Sequence, residues 1–282
     1  MRGPLRGACC VLLLAAAGAG CTPEAGSAGK PASVYYGDTT PDISGLWRPD
    51  FRPPYAAWSV DGKPLPPRAA NGTVVGMPYT PAWQAIYDAR IASNQRGKPY
   101  GDPHYNCWPR GPVSAYMSGN ATMSITQTPG RVQQIFQEDS QVHDIYTDGR
   151  TLPAAADPAN DAYEPRMMGY AVGHWEGATL VAETRGIRKE LTLGLQLPHS
   201  DVTVVTERFT RIDPQHLRIL VTVTDAKALA KPITTDLTYT LDPTGDLDDQ
   251  LCAENNVNAT DHDGYVSTDV DYRRSTTWDL PE

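Results

Sequence analysis

The chain has 282 residues, 40% of them hydrophobic, and a formal charge of −9 at pH 7. That acidic balance argues against nucleic acid or anionic headgroups as partners, since both require a basic surface. Tyrosine is abundant (14) and phenylalanine scarce (3), which suits half-polar cavities and interfaces better than a dry core.

Arg2 and Arg6, the apolar run 11–19 and the small residues before Cys21 form the pattern of a secretory signal peptide over residues 1–20. The run is too short to span a bilayer, which takes roughly 20 apolar residues. A cysteine just past the small residues resembles a bacterial lipoprotein signal, in which that cysteine is acylated and becomes the new N-terminus. Gly18 stands where that pattern usually has Leu, and an ordinary cleaved signal is the alternative. Thr22, in place of Asp, implies by the same resemblance an outer-membrane lipoprotein facing the periplasm; otherwise the protein is periplasmic or secreted. Membrane contact is then expected through the lipid on Cys21. Residues 21–41 read as a Gly/Ala/Ser/Pro tether, and 42–282 as a single β-rich domain.

A short strand is expected around Leu46–Trp47, followed by a Pro-rich loop over 49–67. A helix is predicted over about 80–96. Thr80 can cap it, Pro81 suits its first turn, Trp83, Ile86, Tyr87 and Ile91 recur at helical spacing, and Gly97 ends it. From residue 121 the pattern becomes short strands separated by turn residues. Pro129-Gly130 joins 123–128 to 132–137, and a strand over 142–147 ends at Asp148-Gly149. Glu176-Gly177 joins 170–175 to 179–184, Asp213-Pro214 joins 202–212 to 217–224, and 234–241 follows. This predicts a mainly β fold, an antiparallel meander that either folds into a sandwich or closes into a barrel, the barrel being preferred because closure leaves no exposed edges. The polar tail after Cys252 reads as a surface loop.

Cys9 and Cys10 leave with the signal peptide, so Cys107 and Cys252 remain. In an oxidising compartment an even pair favours a structural disulfide over reactive thiols, with an upper stabilisation of roughly 5 kcal/mol for so long a loop.

The segment 173–181, Gly-His-Trp-Glu-Gly-Ala-Thr-Leu-Val, resembles the G-x-W-E-G-D-T-L-V string of a large family of secreted bacterial proteins of unassigned function. The strings at 145–150, 198–201 (Pro-His-Ser-Asp), 207–208 and 80–85, and Cys107 with Pro109 and Gly111, are similar to the same family. Ala178 and Glu183 depart from it, each at a position where Asp is usual. Gly45-Leu46-Trp47 also resembles the Gly-x-Trp that opens calycin and lipocalin-like barrels, where the tryptophan plugs the closed end. The resemblances imply a fold and supply almost no chemistry.

His199 is the leading catalytic candidate, an imidazole in a turn ahead of a strand carrying Glu207 and Arg208, and able to act as acid or base near neutrality. The competing reading is that it hydrogen-bonds backbone at the strand entrance. Glu207 and Arg208 point to opposite faces of their strand, and Arg211 shares the face of Glu207, so a structural ion pair between those two is favoured over the alternative, a catalytic role for Glu207 beside His199 and Arg150. Arg150 either closes a turn with Asp148 or reaches the barrel mouth to pair with a ligand carboxylate. Trp175 reads as hairpin architecture, and with Trp47 and Arg208 completes the candidate binding residues. Asp261-His262-Asp263 lacks metal-ligand spacing, and no HExxH, GxSxG, phosphate loop or dinucleotide fingerprint occurs. No cofactor or metal is expected.

Three functional readings follow. The first is an envelope-anchored lipoprotein holding a small, partly apolar molecule in its barrel. The second is a cofactor-independent hydrolase, lyase or isomerase acting on an aromatic or polycyclic small molecule, with His199 as acid or base and Arg150 or Arg208 orienting an anionic group. The third is a structural envelope component that binds a protein through residues 49–67.

Overall fold

The computed structural model describes residues 40–50, 57–95, 104, 107–118, 120–152, 164–194 and 196–255. Its strands follow from alternation. In β4 (Met123–Thr128), β5 (Arg131–Phe136) and β6 (Gln141–Tyr146), every second side chain is buried. The same holds along β9 (Val204–Arg211), β10 (His216–Thr224) and β11 (Ile233–Leu241). The period of two puts one set of side chains inside and the other in solvent.

Two-residue turns fix the register. Pro129-Gly130 closes β4 on β5, with Thr128 opposite Arg131. Gly177-Ala178 closes β7 (Tyr170–Glu176) on β8 (Thr179–Arg185), with Glu176 opposite Thr179. Gly130 and Gly177 hold φ of 75° and 58°, a region favouring glycine.

β1 (Gly45–Pro49) closes the sheet by pairing with β4 on one side and β11 on the other, Trp47 facing both Met123 and Leu241. The result is a closed, nine-stranded, lipocalin-like barrel of β1 and β4 through β11. Trp47 is fully buried, and its indole Nε1–H donates to the Ile43 carbonyl at 3.0 Å.

Three expectations need correction. The barrel is mixed, because β6 and β7 run parallel through the pairs Ile145↔Ala171 and Tyr146↔Val172. The connection 147–169 is long enough to return to the starting end, and alternation within a strand carries no information about its direction. The Pro-rich stretch is also more ordered than a loop: β1 runs on to Pro49, and β2 (Ser59–Val60) and β3 (Lys63–Pro64) form a small hairpin added to β11 through Ser59↔Thr234. Pro49 and Pro64 sit at a strand end and in an edge strand, where the missing N–H is tolerated. Finally, Cys252–Asn255 makes one helical turn, α2, where a loop is expected; 256–282, including Asp261-His262-Asp263, lies outside the described residues.

Helix α1 (Pro81–Gln95) lies where the spacing predicts it, burying Trp83, Tyr87, Arg90 and Ile91 on one face. Thr80 accepts the Gln84 N–H through its carbonyl at 2.9 Å, while its hydroxyl donates to the Lys227 carbonyl at 3.2 Å. Gly97 lies outside the described residues. Among those described, no helix is long and apolar enough to cross a membrane. Cys107 and Cys252 form a disulfide with their Cα atoms 5.3 Å apart. Beside it Arg110 grips Glu138 through two bonds of 2.8 and 2.9 Å, and His104 lies 3.1 Å from the same carboxylate. Hydrogen bonds from His104 and Arg110, and the guanidinium charge, hold Glu138 at about 2 despite its burial.

Candidate functional site

Among the described residues, polar side chains interrupt the apolar barrel interior, and several of them are joined by hydrogen bonds. Gln134 (β5), His143 (β6), Thr184 (β8), Glu207 (β9) and Thr235 (β11) occupy inward, buried positions. Tyr116 joins them from a 3₁₀ turn, Ser114–Met117, packing edge-on to Phe136 at 5.2 Å. The hydrogen bonds run in one direction. Thr184 Oγ1 lies 3.2 Å from His143 Nε2, and His143 Nδ1 lies 3.0 Å from Gln134 Oε1. Gln134 Nε2 donates to the Tyr116 hydroxyl at 2.7 Å, which donates to Glu207 Oε1 at 2.5 Å. His143, Gln134 and Tyr116 each accept from one neighbour and donate to the next, which fixes the histidine as the Nδ1–H tautomer.

The chain of donors ends at a carboxylate with unused capacity. Glu207 Oε2 and Thr235 Oγ1 have no hydrogen-bond partner among the described residues. They stand at one level of the barrel, Glu207 opposite Val221 and Val221 opposite Thr235. Burial pushes Glu207 up to about 7, partly offset by the Tyr116 bond. Burial also pushes His143 down to about 4. The imidazole is therefore neutral at pH 7, and the 3.8 Å approach of His143 Nδ1 to Glu207 Oε2 is not an ion pair. Tyr116 is raised well above the usual tyrosine range by burial and then by the Glu207 charge.

The residues singled out in the sequence lie in separate places. His199 is buried where Pro198–Asp201 turns into β9, with Nδ1 2.9 Å from the Ser200 carbonyl and 3.1 Å from Thr203 Oγ1. Burial lowers its basicity. This is the backbone-bonded arrangement, and its partners share no residue with those of Glu207. The turn is latched by buried Asp225, which accepts from Ser200 N and Oγ (both 2.7 Å), Thr203 Oγ1 (2.6 Å), Lys227 N (3.0 Å) and Ala228 N (2.8 Å). These bonds keep Asp225 ionised below the ordinary value despite burial.

The expected Glu207–Arg211 pair is not formed. Arg211 sits at the strand end, where its guanidinium bonds the carbonyls of Asp42 and Pro214, 5.4 Å from the Trp47 ring. Arg208 faces outward and pairs with Glu176 at 2.8 Å. Trp175 is partly buried and packs against the core from the inward side of β7. Arg150 is exposed on the outer wall, held by Asp148 at 2.6 Å. It lines a surface cleft of about 460 Å³ with Tyr146, Arg166 and Tyr170.

Sequence reasoning missed Tyr116, Gln134, His143, Thr184 and Thr235. For the strand residues a signal existed, since Gln134, His143 and Thr184 share strand parity with Val132, Ile145 and Ala182. Tyr116 carried none, because its turn has no periodicity. No group of three or more His, Cys, Asp or Glu side chains suited to a metal ion occurs among the described residues. Comparison with protein families, curated proteins and solved structures returns no match.

Proposed function

We propose that the protein is a lipid-anchored component of the bacterial envelope that binds a small, partly apolar molecule inside its barrel. The observation that carries this reading is Glu207: a fully buried carboxylate in a β-barrel, with one oxygen unpartnered. Leaving such a group unmatched costs about 1–3 kcal/mol, more for a charge, so a polar ligand atom brought against it gains what the unpartnered oxygen forfeits. A carboxyl titrating near neutrality serves either as acceptor for a ligand O–H or N–H, or as donor to a ligand carbonyl. Val205 and Phe209, inward on the same strand, supply apolar surface for the rest of the molecule.

The anchor reading rests on the Arg2/Arg6, apolar and Gly20-Cys21 pattern. A second reading, a cofactor-independent enzyme acting on an aromatic or polycyclic molecule, is favoured by the same titration. A carboxyl near 7 beside a tyrosine suits general acid–base catalysis, with Glu207 in place of His199 as the proton-transfer group.

Native mass spectrometry of the full chain tests the binding. A non-covalent extra mass, removed by solvent extraction and diminished in Glu207→Gln, is expected. Its absence from both proteins, or its persistence in the variant, overturns the assignment to Glu207. Cys21→Ser is expected to move the protein from the membrane fraction to the soluble one; an unchanged distribution overturns the anchor.

A further inference from the structure

β5 and β6 pair along their whole length, whereas β6 and β7 share two register pairs near Tyr146 and then diverge. The outward side chains beside this seam, with residues 150–152 lying across it, enclose the cleft of about 460 Å³. That volume is within the range of small-molecule sites, roughly 300–1,000 Å³. A second hollow of about 380 Å³ continues beyond 150–152, sharing Arg150, Thr151, Leu152 and Val172.

The walls have a definite chemistry. Two tyrosine rings each carry a guanidinium on the face, Arg150 over Tyr146 at 3.6 Å and Arg166 over Tyr170 at 4.2 Å. Arg150 is neutralised by Asp148. Asp144, the carboxylate of the cleft, is engaged by Gln133 at 2.8 Å and Arg131 at 3.6 Å. Among the described residues Arg166 pairs with no carboxylate, and its guanidinium is the charge of the cleft that they leave unmatched. Val142, 42% exposed and among the few large apolar side chains open to solvent, lies in the same cleft with Met168. An arginine stacked on a ring has its planar N–H edge set for charge-assisted bonds to a flat oxyanion.

We propose that this outer cleft binds small carboxylates with a flat, apolar or aromatic body. Arg166 takes the carboxylate, while Val142 and Met168 contact the body. The site is independent of the barrel interior, because Val142, Asp144 and Tyr146 face out of β6 while His143 and Ile145 face in.

Isothermal titration of the full chain with sodium 2-naphthoate, and with neutral 2-naphthamide, tests the proposal. Saturable binding of naphthoate is expected. Arg166→Ala and the amide should each weaken it about tenfold or more, the scale of one lost charge-assisted hydrogen bond. Val142→Trp, which fills the cleft from an exposed position, should weaken it as well. Arg218→Ala, an exposed arginine paired with Asp236 outside the cleft, should leave it unchanged. Absence of saturable binding, equal affinity for the amide, or equal affinity in Arg166→Ala overturns the proposal. Binding that survives Arg166→Ala and is lost in Glu207→Gln would place the molecule in the barrel, so this site fails while the interior reading stands.

Discussion

Glu207 and His143 bias stability in opposite directions with pH, and removing either should expose the other. Folding raises Glu207 from an ordinary 4.5 to about 7, so the folded state holds a proton that the unfolded chain releases. Its contribution is complete below 4.5 and is lost as pH rises through 7. At about 1.4 kcal/mol per pH unit the loss totals about 3 kcal/mol. Folding lowers His143 from 6.5 to about 4, so its contribution is complete above 6.5 and is lost as pH falls through 4, again by about 3 kcal/mol. Between pH 4.5 and 6.5 the two slopes cancel in the native protein. Glu207→Gln keeps shape and the Tyr116 acceptor, leaving histidine alone, and its stability should rise with pH by about 2 kcal/mol across that window. His143→Gln should fall by a similar amount up to pH 7. Urea unfolding at pH 4.5, 5.5, 6.5 and 7.5, read as variant minus native protein, removes the titration of every other group. Differences flat to within roughly 0.5 kcal/mol would refute the assignment of burial as the dominant influence on both residues.

Reducing the Cys107–Cys252 bond, whose residues lie 145 apart in sequence, should cost up to about 5 kcal/mol of stability through the loop entropy released in the unfolded chain. Urea midpoints of reduced, alkylated protein and of the oxidised form check this, and equal midpoints would show that the crosslink does not restrain unfolding. Asp225→Ala strips the acceptor from five donors and should cost about 3–5 kcal/mol, with Asp225→Asn retaining part of it. A change in thermal stability equivalent to less than about 1 kcal/mol would mean that the latch is dispensable.

The barrel was legible because alternation and the Pro-Gly and Glu-Gly turns act over short range. Strand direction was not. Nothing in residues 141–146 or 170–176 distinguishes parallel from antiparallel pairing, and the answer lies in the return path between them. The small hairpin at 59–64 was hidden by prolines, which exclude central strands and permit edges. In the helix, periodicity marked Trp83, Tyr87 and Ile91 but passed over Arg90, since a buried charge breaks the pattern that reveals a face. At the candidate site the parity of β9 already placed Glu207 between Val205 and Phe209 on the inward side. Arg211 has the same parity, yet the wall ends there and its guanidinium escapes to backbone carbonyls. Parity locates a face; it does not say where along a strand the interior stops.

The segment that looked most chemical, Pro198–Asp201, instead ties the chain together. Its histidine Nδ1 is engaged by Ser200 and Thr203 and its serine by Asp225, while its Asp201 lies outside, paired with Lys227 at 3.0 Å. Tyr79 donates to the Pro198 carbonyl at 2.9 Å, and Thr80 N to the Ala228 carbonyl at 2.9 Å, so the helix entrance joins the same knot. Three stretches distant in sequence are thus held at one place by bonds that leave Asp225 with no obvious remaining acceptor role. A group with its hydrogen-bonding capacity consumed is poorly placed to bind or transfer a proton, whatever motif it belongs to. Glu207 differs on that count: it is equally buried and ends a directed chain of donors, with one oxygen still unmatched. The unmatched oxygen is thus an argument for Glu207 over His199 as the first group to probe, while Pro198–Asp201 ties the helix entrance, the start of β9 and the turn after β10 together.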